Sequence, residues 1–198
     1  MAGAIIVPGS PGRSYRVFGA TSGGGPTWTT VWSNALTDGD EPNWGNTVFV
    51  NSIDHILLGA ATGQTCRLTL RFATLSSGRT ADIYFAQQGA GDVYDFNTTP
   101  AHVLFGGTSI TGDGTTLNYV SDPFTLPETY DNSKNYVVAA DFQNGSGSPS
   151  LPGGTTGANQ GHLRYSASVP DAATVNKSGY LSDGDAVFRM VAKIEIST

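Results

Sequence analysis

Apolar and polar residues alternate along much of the chain. In residues 65–72 the even positions hold Cys, Leu, Leu and Phe, and the odd positions are polar. Strict alternation of this kind predicts a β-strand with one buried face and one wet face. A Ser-Ser-Gly turn and a second alternating run follow, so residues 65–72 and 80–85 are predicted to form an antiparallel hairpin.

The C-terminal part of the chain shows the same period of two. Its predicted apolar face consists of Phe188, Met190, Ala192, Ile194 and Ile196, with Arg189, Lys193 and Glu195 on the other face. Further strands are predicted at residues 14–18, 28–32, 47–50, 53–58, 102–105, 119–126, 136–142 and 162–169. No window has the apolar stripe of an amphipathic helix, and the strand spacing predicts an all-β protein, an antiparallel β-sandwich.

Two long Gly-rich loops, at residues 19–26 and 144–161, interrupt the strands. Loops beyond about 12–15 residues are usually functional or disordered. Too few strands follow the second loop to build another core, so residues 14–198 are predicted to form a single domain. Residues 1–13, around Ile5, Ile6 and Val7, are predicted to be an N-terminal arm. This arm either pairs with a neighbouring subunit or is a frayed terminus, and the sequence favours neither interpretation.

Charged residues make up only 13% of the chain, against a usual share of about 25%. Glycine (26 residues), Ser and Thr replace them, which excludes a helical bundle. The net charge is −6 and the basic residues are scattered, so nucleic-acid binding is not expected. Hydrophobic residues form 38% of the chain, enough for a core that disordered proteins lack.

Cys66 is the only cysteine, and its place in an alternating run predicts a small buried hydrophobe. The N-terminus lacks the basic and apolar regions of a signal peptide. No segment approaches the roughly 20 apolar residues that span a bilayer. We therefore expect a soluble chain made in a cytoplasm, without a membrane partner.

Several short stretches between residues 66 and 142 resemble a non-catalytic module. They are the strand at 67–72, Leu-Phe-Gly-Gly-Thr-Ser-Ile at 104–110, Val-Ser-Asp-Pro-Phe-Thr-Leu-Pro at 120–127, and the strand at 136–142. In this order they resemble the jelly-roll accessory domain that precedes some SGNH-type hydrolase domains and occurs in virion proteins of tailed phages and phage-like particles. The resemblance implies a β-sandwich of jelly-roll type and structural roles for these stretches.

The sequence has no counterpart of the hydrolase half. Gly107-Thr108-Ser109 superficially resembles the Gly-Asp-Ser nucleophile block of those hydrolases, but Thr108 replaces the acid. Neither a Gly-x-Ser-x-Gly elbow nor an Asp-x-x-His block is present to activate a serine. We therefore expect no enzymatic activity.

Aromatic and acidic residues in loops are candidates for a glycan site. Sugar rings stack their C–H faces on aromatic side chains, while Asp side chains bond the hydroxyls. The candidates are Trp44, Tyr94, Asp92 and Asp95. Trp28 and Trp32 are four residues apart on a predicted strand, so we expect them to share a face and to be buried.

Clustered carboxylates are candidates for a calcium site, since calcium takes six to eight oxygen ligands. The clusters contain Asp38 and Asp40, and Asp183 and Asp185, each beside a glycine. Asp and Gly are also the ordinary residues of turns, and this interpretation is favoured, so we expect no cofactor, with calcium as the alternative. The three histidines lack metal-ligand spacing and are expected on sheet faces or edges.

Together these features predict a non-enzymatic structural protein of a phage or phage-like particle, a spike, fibre or decoration subunit that contacts host-surface glycans. It would bind other virion subunits through the arm and form a homo-oligomer located in the virion. The alternatives are a free carbohydrate-binding module or lectin, and a glycan-degrading enzyme, which would need a carboxylate pair. Because few charges are available to discourage pairing at sheet edges, we expect partners to cover those edges.

Overall fold

A computed structural model gives the structure of the protein. It describes residues 25–36, 48–72, 78, 80–91, 94–143, 153–155, 161–166, 172–176, 181–182 and 187–198. The predicted arm at 1–13, the predicted strand at 14–18 and most of both long loops lie outside these residues.

The described residues form fourteen strands. These are β1 (Trp28–Ser33), β2 (Val48–Ile53), β3 (Thr65–Arg71), β4 (Thr80–Gln87), β5 (Ala101–Val103), β6 (Ile110–Thr111), β7 (Asn118–Val120), β8 (Phe124–Thr125), β9 (Tyr136–Gln143), β10 (Gly153–Thr155), β11 (Gly161–Ser166), β12 (Leu181–Ser182), β13 (Val187–Arg189) and β14 (Val191–Ser197).

Two antiparallel sheets pack against each other, which confirms the predicted all-β sandwich. The first sheet has the order β1-β14-β3-β7, and β8 also pairs with β3. The second has the order β12-β11-β2-β9-β4-β5, and β6 also pairs with β4. Strands β10 and β13 form a separate two-stranded ribbon.

The main core lies between the two sheets and contains side chains of β1 to β6, β9 and β14, with Tyr119 of β7 and Phe124 of β8 packed against it. Its centre is aromatic. Phe85 stacks on Tyr136 with ring centroids 5.4 Å apart and meets Phe124 edge-to-face at 6.0 Å. Cys66 is fully buried in the same cluster, as predicted.

The predicted hairpin of residues 65–72 and 80–85 is wrong, because the two strands belong to opposite sheets. Strand β3 pairs with β14, β7 and β8, whereas β4 pairs with β9, β5 and β6. Both strands do alternate as predicted, since each turns its apolar residues into the core. Alternation identifies the buried face of a strand, but it carries no information about which strand lies beside it.

The C-terminal strand is interrupted where the alternation predicts continuity. Met190 has a positive φ of 63° and separates β13 from β14. Beyond it, a register shift lies between Val191 and Lys193. As a result Val191 is buried, and Ala192 does not continue the apolar face. An extra residue in one strand of a pair disrupts the alternation in this way, because each side chain after it points to the opposite side of the sheet from the one that strict alternation would give.

Two other predicted strands also differ. The predicted strands at 47–50 and 53–58 both contribute to one strand, β2, which spans Val48–Ile53. The chain then makes a short 3-10 turn at His55–Leu57, and the side chain of Asp54, which precedes the turn, accepts from Ile56 N–H. The predicted strand at 119–126 is two short strands, β7 and β8. In the described part of the chain no helix has the length and apolar character needed to cross a membrane.

Candidate functional site

The outer face of the first sheet concentrates basic side chains. Because β3 turns its even positions into the core, Arg67, Thr69 and Arg71 point outward. On β14, Lys193 lies opposite Thr69 and Glu195 opposite Arg67. Arg67, Arg71 and Lys193 all lie on this face. This part of a chain with a net charge of −6 is therefore locally basic.

Glu195 is the one carboxylate among the described strand residues of this face. It is only 5% exposed, and it accepts a hydrogen bond from Arg67 Nε at 2.8 Å. Lys193 Nζ lies 3.1 Å from its other oxygen. Burial raises the pKa of the Glu195 carboxyl, but the hydrogen bonds and charges of Arg67 and Lys193 outweigh burial and hold that pKa below its ordinary value.

Beside this cluster, Trp28 covers Arg67, whose guanidinium carbon lies 4.3 Å from the centre of the indole ring. The expectation that Trp28 and Trp32 share a face is wrong. A register shift between Thr30 and Trp32 turns Trp32 into the core, where it is buried, whereas Trp28 remains half-buried on the outer face. The bulge thus places one aromatic ring where it stacks on a cation.

A groove of about 580 Å³ opens on the same face, farther along β3. The strand register builds its floor, because Val120, Thr69, Lys193 and Ser33 lie side by side across β7, β3, β14 and β1. The segment after β1 forms one wall, and Arg71 lies opposite Asn118. The polar lining includes Asn34, Asn118, Thr69, Arg71 and Lys193, and Leu36 and Val120 add apolar surface.

Thr69 Oγ1 and Asn34 Nδ2 lie in this lining, and both are buried without a hydrogen-bond partner among the described residues. Thr69 as a whole is 7% exposed although it lies on the outer face, because the groove walls cover it. Buried polar groups are nearly always hydrogen-bonded, so it is unusual that one groove contains two such atoms without partners.

Of the predicted glycan residues, the structure describes Tyr94 and Asp95, and it buries both. Tyr94 is 2% and Asp95 7% exposed. Tyr94 and Phe96 pack with Val50, Val137 and other residues in a second apolar cluster, on the outer face of the second sheet. The Tyr94 ring therefore covers the sheet and has no face open to a sugar.

The remaining predicted site residues lie outside the described part of the chain. They are Trp44 and Asp92 for the glycan site, Asp38, Asp40, Asp183 and Asp185 for calcium, and Ile5, Ile6 and Val7 for the arm. Among the residues that are described, no three His, Cys, Asp or Glu side chains lie close enough to hold a metal ion together.

A serine, an aspartate and a histidine meet on the outer face of the second sheet. Ser109 Oγ donates to Asp82 Oδ1, and His102 Nε2 lies 3.4 Å from the same oxygen. His102 also stacks on Tyr84 with ring centroids 4.9 Å apart. In a Ser-His-Asp triad the imidazole accepts the serine proton. Here the carboxylate lies between the serine and the histidine, so this contact order does not activate Ser109.

Asp82 also lies directly opposite Asp141 on the neighbouring strand β9. The sequence offered no way to bring these two carboxylates together, because each is one polar residue in an alternating strand. Asp82 is engaged by Ser109 and His102. Asp82 thus joins a local polar network on this face.

The Ser-Asp-Pro corner after β7 connects three of the stretches on which the resemblance rests. Ser121 is buried, and its Oγ accepts from Leu68 N–H at 2.9 Å. Asp122 N–H donates to Leu104 O at 2.8 Å, and Asp122 Oδ2 accepts from Gly107 N–H at 2.7 Å. These bonds link the first sheet to the chain that follows β5 in the second.

The groove residues were not among the sequence candidates. Each of them appears in the sequence as an ordinary polar residue on the wet face of a strand, and only the order of the strands brings them together. The odd positions of residues 65–72 were the one available signal, since two arginines and a threonine occur there on one face.

No protein-family model matches the chain, and no curated protein matches it.

Proposed function

We propose that the protein is a non-enzymatic structural subunit on the surface of a phage or phage-like particle, where it contacts host-surface glycans. The sheet edges carry the proposal. Among the described strands, those at the edges of the two sheets are β1, β5, β6, β7, β8 and β12, and none contains Asp, Glu, Lys or Arg. Proteins that remain monomeric commonly place charges on such edges to prevent pairing. Uncharged edges suit a subunit whose neighbours cover them.

The corner at Ser121 and Asp122 also supports a structural role. Its polar groups are used in hydrogen bonds that fix one stretch to another, as the resemblance to the accessory module implies. The glycan contact is supported by the groove on the first sheet, which combines donors, cations and apolar surface.

Incorporation into particles tests the proposal. Particles are purified by density gradient from cultures that express the tagged full chain, imaged by electron microscopy and searched for the chain by mass spectrometry. We expect the chain in the particle fraction, and we expect deletion of residues 1–13 to leave a folded domain that is absent from it. A chain found only in the soluble fraction would overturn the particle assignment.

Edge charges provide a sharper test with a matched control. Thr125→Lys in β8 and Thr111→Lys in β6 place a charge at an exposed edge position. We expect at least one of them to reduce incorporation while the unfolding midpoint in urea is unchanged. Thr98→Lys, at an exposed loop position, makes the same chemical change away from both edges. Equal incorporation of all three variants would show that these edges are not covered.

The groove also favours a second candidate, a free carbohydrate-binding module. That protein would bind glycans as a monomer and would not enter particles. Analytical ultracentrifugation of the purified full chain separates the two candidates, because a subunit is expected to self-associate with increasing concentration and the free module is not.

A further inference from the structure

We propose that the groove on the outer face of the first sheet binds an acidic saccharide, with the sugar carboxylate at Arg71 and Lys193 and a neighbouring hydroxyl at Thr69 and Asn34. The inference rests on the glycan contact in the proposed function, and it names the site and the class of sugar.

The charge of the lining points to an anion. Arg71 and Lys193 both line the groove, and no carboxylate does among the described residues. Glu195 lies beside Lys193, but Arg67 shares its charge through the 2.8 Å hydrogen bond. Lys193 thus keeps donors for a second partner, since an ammonium group carries three N–H bonds. Arginine pairs with carboxylates through its planar fork, which adds orientation to the attraction.

The unpaired polar atoms point to a ligand with hydroxyl groups. Thr69 is more than nine-tenths buried, and its Oγ1 has no partner among the described residues. Asn34 Nδ2 lies in the same lining and is also unpaired. A hydroxyl of the Thr69 type both donates and accepts, whereas the amide nitrogen donates. One sugar hydroxyl can accept a hydrogen bond from Asn34 and form another with Thr69. Binding would then remove the free-energy cost of burying these two polar groups without hydrogen bonds.

The remaining surface of the groove suits a sugar ring better than a bare ion. Leu36 is buried in the lining, and Val120, at one end of the floor, is 53% exposed. These apolar groups face the C–H bonds of a pyranose. The volume of about 580 Å³ lies within the range of about 300–1,000 Å³ that small-molecule sites occupy. A single inorganic anion would leave most of this surface without contact.

The binding test uses three probes of matched length. They are an oligogalacturonate, the same oligosaccharide with its carboxylates reduced to alcohols, and a neutral maltooligosaccharide, each titrated calorimetrically into the full chain. We expect the chain to bind the oligogalacturonate and to bind the other two at least tenfold more weakly. Raising the salt concentration should weaken the first interaction, because it depends on charge.

Variants locate the site. Arg71→Gln and Lys193→Gln are each expected to weaken oligogalacturonate binding about tenfold or more, the effect of losing a charged hydrogen bond. Thr69→Val keeps the shape of the side chain and removes a hydroxyl that makes no protein hydrogen bond, so it should bind more weakly without loss of stability. Lys134→Gln removes a positive charge elsewhere and should bind as the natural chain does.

The outcomes separate the inference from the function on which it rests. Equal binding of the reduced oligosaccharide, or unchanged binding by both Arg71→Gln and Thr69→Val, would overturn the inference and leave the glycan contact standing. Binding of the neutral probe alone would do the same. If the chain binds none of the probes, the acidic-sugar site is wrong, while particle incorporation is measured independently.

Discussion

Arg67 and Glu195 face each other on β3 and β14, and Arg67 Nε donates to Glu195 Oε2 at 2.8 Å. The two strands are central in the first sheet. Glu195 is buried and contacts both Arg67 and Lys193, so one carboxylate joins two of the basic side chains of this face.

Glu195→Gln is expected to lower the free energy of unfolding by about 1.5–3 kcal/mol, the usual value for hydrogen bonds to charged groups. The amide keeps one acceptor but turns an N–H toward a cation. Urea unfolding at pH 7 measures the change. Glu128→Gln is the control, since Glu128 accepts from Asn97 at an exposed site where such contacts contribute little. Equal midpoints for Glu195→Gln and the natural chain would contradict the prediction.

The same variant carries a pH prediction. The folded-state pKa of Glu195 is lowered from 4.5, so its carboxylate stabilises the fold above that ordinary value, and the contribution is lost as the pH falls through the folded pKa. The stability difference between the natural chain and Glu195→Gln should therefore shrink on acidification below about pH 4.5. The pKa values of Asp113 and Asp131 are also lowered, and these carboxylates affect the stability of both chains at low pH. The quantity to measure is therefore the difference in unfolding free energy between the two chains at each pH. A stability difference that stays constant down to low pH would contradict this prediction.

Cys66 should react with thiol reagents only after unfolding. Burial, and then the charge of Glu195, raise the pKa of its thiol, and the thiolate is the reactive form. Ellman's reagent is expected to give no signal with the folded chain at pH 8 and one thiol per chain in urea. The rate at intermediate urea should follow the unfolded fraction measured by tryptophan fluorescence. Rapid labelling in the absence of urea would contradict the buried position.

Tyr94→Ala should destabilise the protein without affecting glycan binding. The ring is 2% exposed in the second apolar cluster, and truncating a buried aromatic side chain costs about 3–5 kcal/mol. Thermal unfolding and oligogalacturonate titration, both performed on the same preparation below its melting temperature, separate the two effects. If Tyr94→Ala lost glycan binding but kept its stability, the buried position of Tyr94 would be wrong and the ring would belong to the glycan site.

Gly63→Ala is expected to destabilise the protein by about 1–3 kcal/mol, the cost of overpacking. A Cβ at this position would collide with the backbone carbonyl of Ser197, which cannot move without disturbing β14. Gly25→Ala is the matched control, because nothing lies within 4 Å of a Cβ there. If both variants unfold at the same urea concentration, the inference that Gly63 packs closely against β14 is wrong.

The sequence was sufficient for the architecture because alternation reports burial directly. Leu68 and Leu70 point into the core as predicted, and so do Ile83 and Phe85. The pattern failed at the two bulges, between Trp28 and Trp32 and between Val191 and Lys193. A bulge leaves the strand-like composition unchanged, but side chains beyond it point to the opposite side of the sheet from the one that alternation predicts.

The groove was beyond prediction for a different reason. Thr69 and Lys193 face each other although they are far apart in sequence, and this contact depends on the choice of strand partners. Local alternation is the same for any partner, so nothing near Thr69 identifies β14 as its neighbour. The predicted glycan residue Tyr94 shows the converse, because an aromatic residue in an acidic loop suits the core as well as a ligand.

The position of β14 between β1 and β3 has a consequence for synthesis. The ribosome completes both outer neighbours long before it reaches Val191–Ser197, the strand that separates them. Until then β1 and β3 each lack the partner that the finished sheet gives them, and long-range pairing of this kind is slow. Strand β3 can pair with β7 and β8 earlier, but the first sheet is complete only after Val191–Ser197 has been translated.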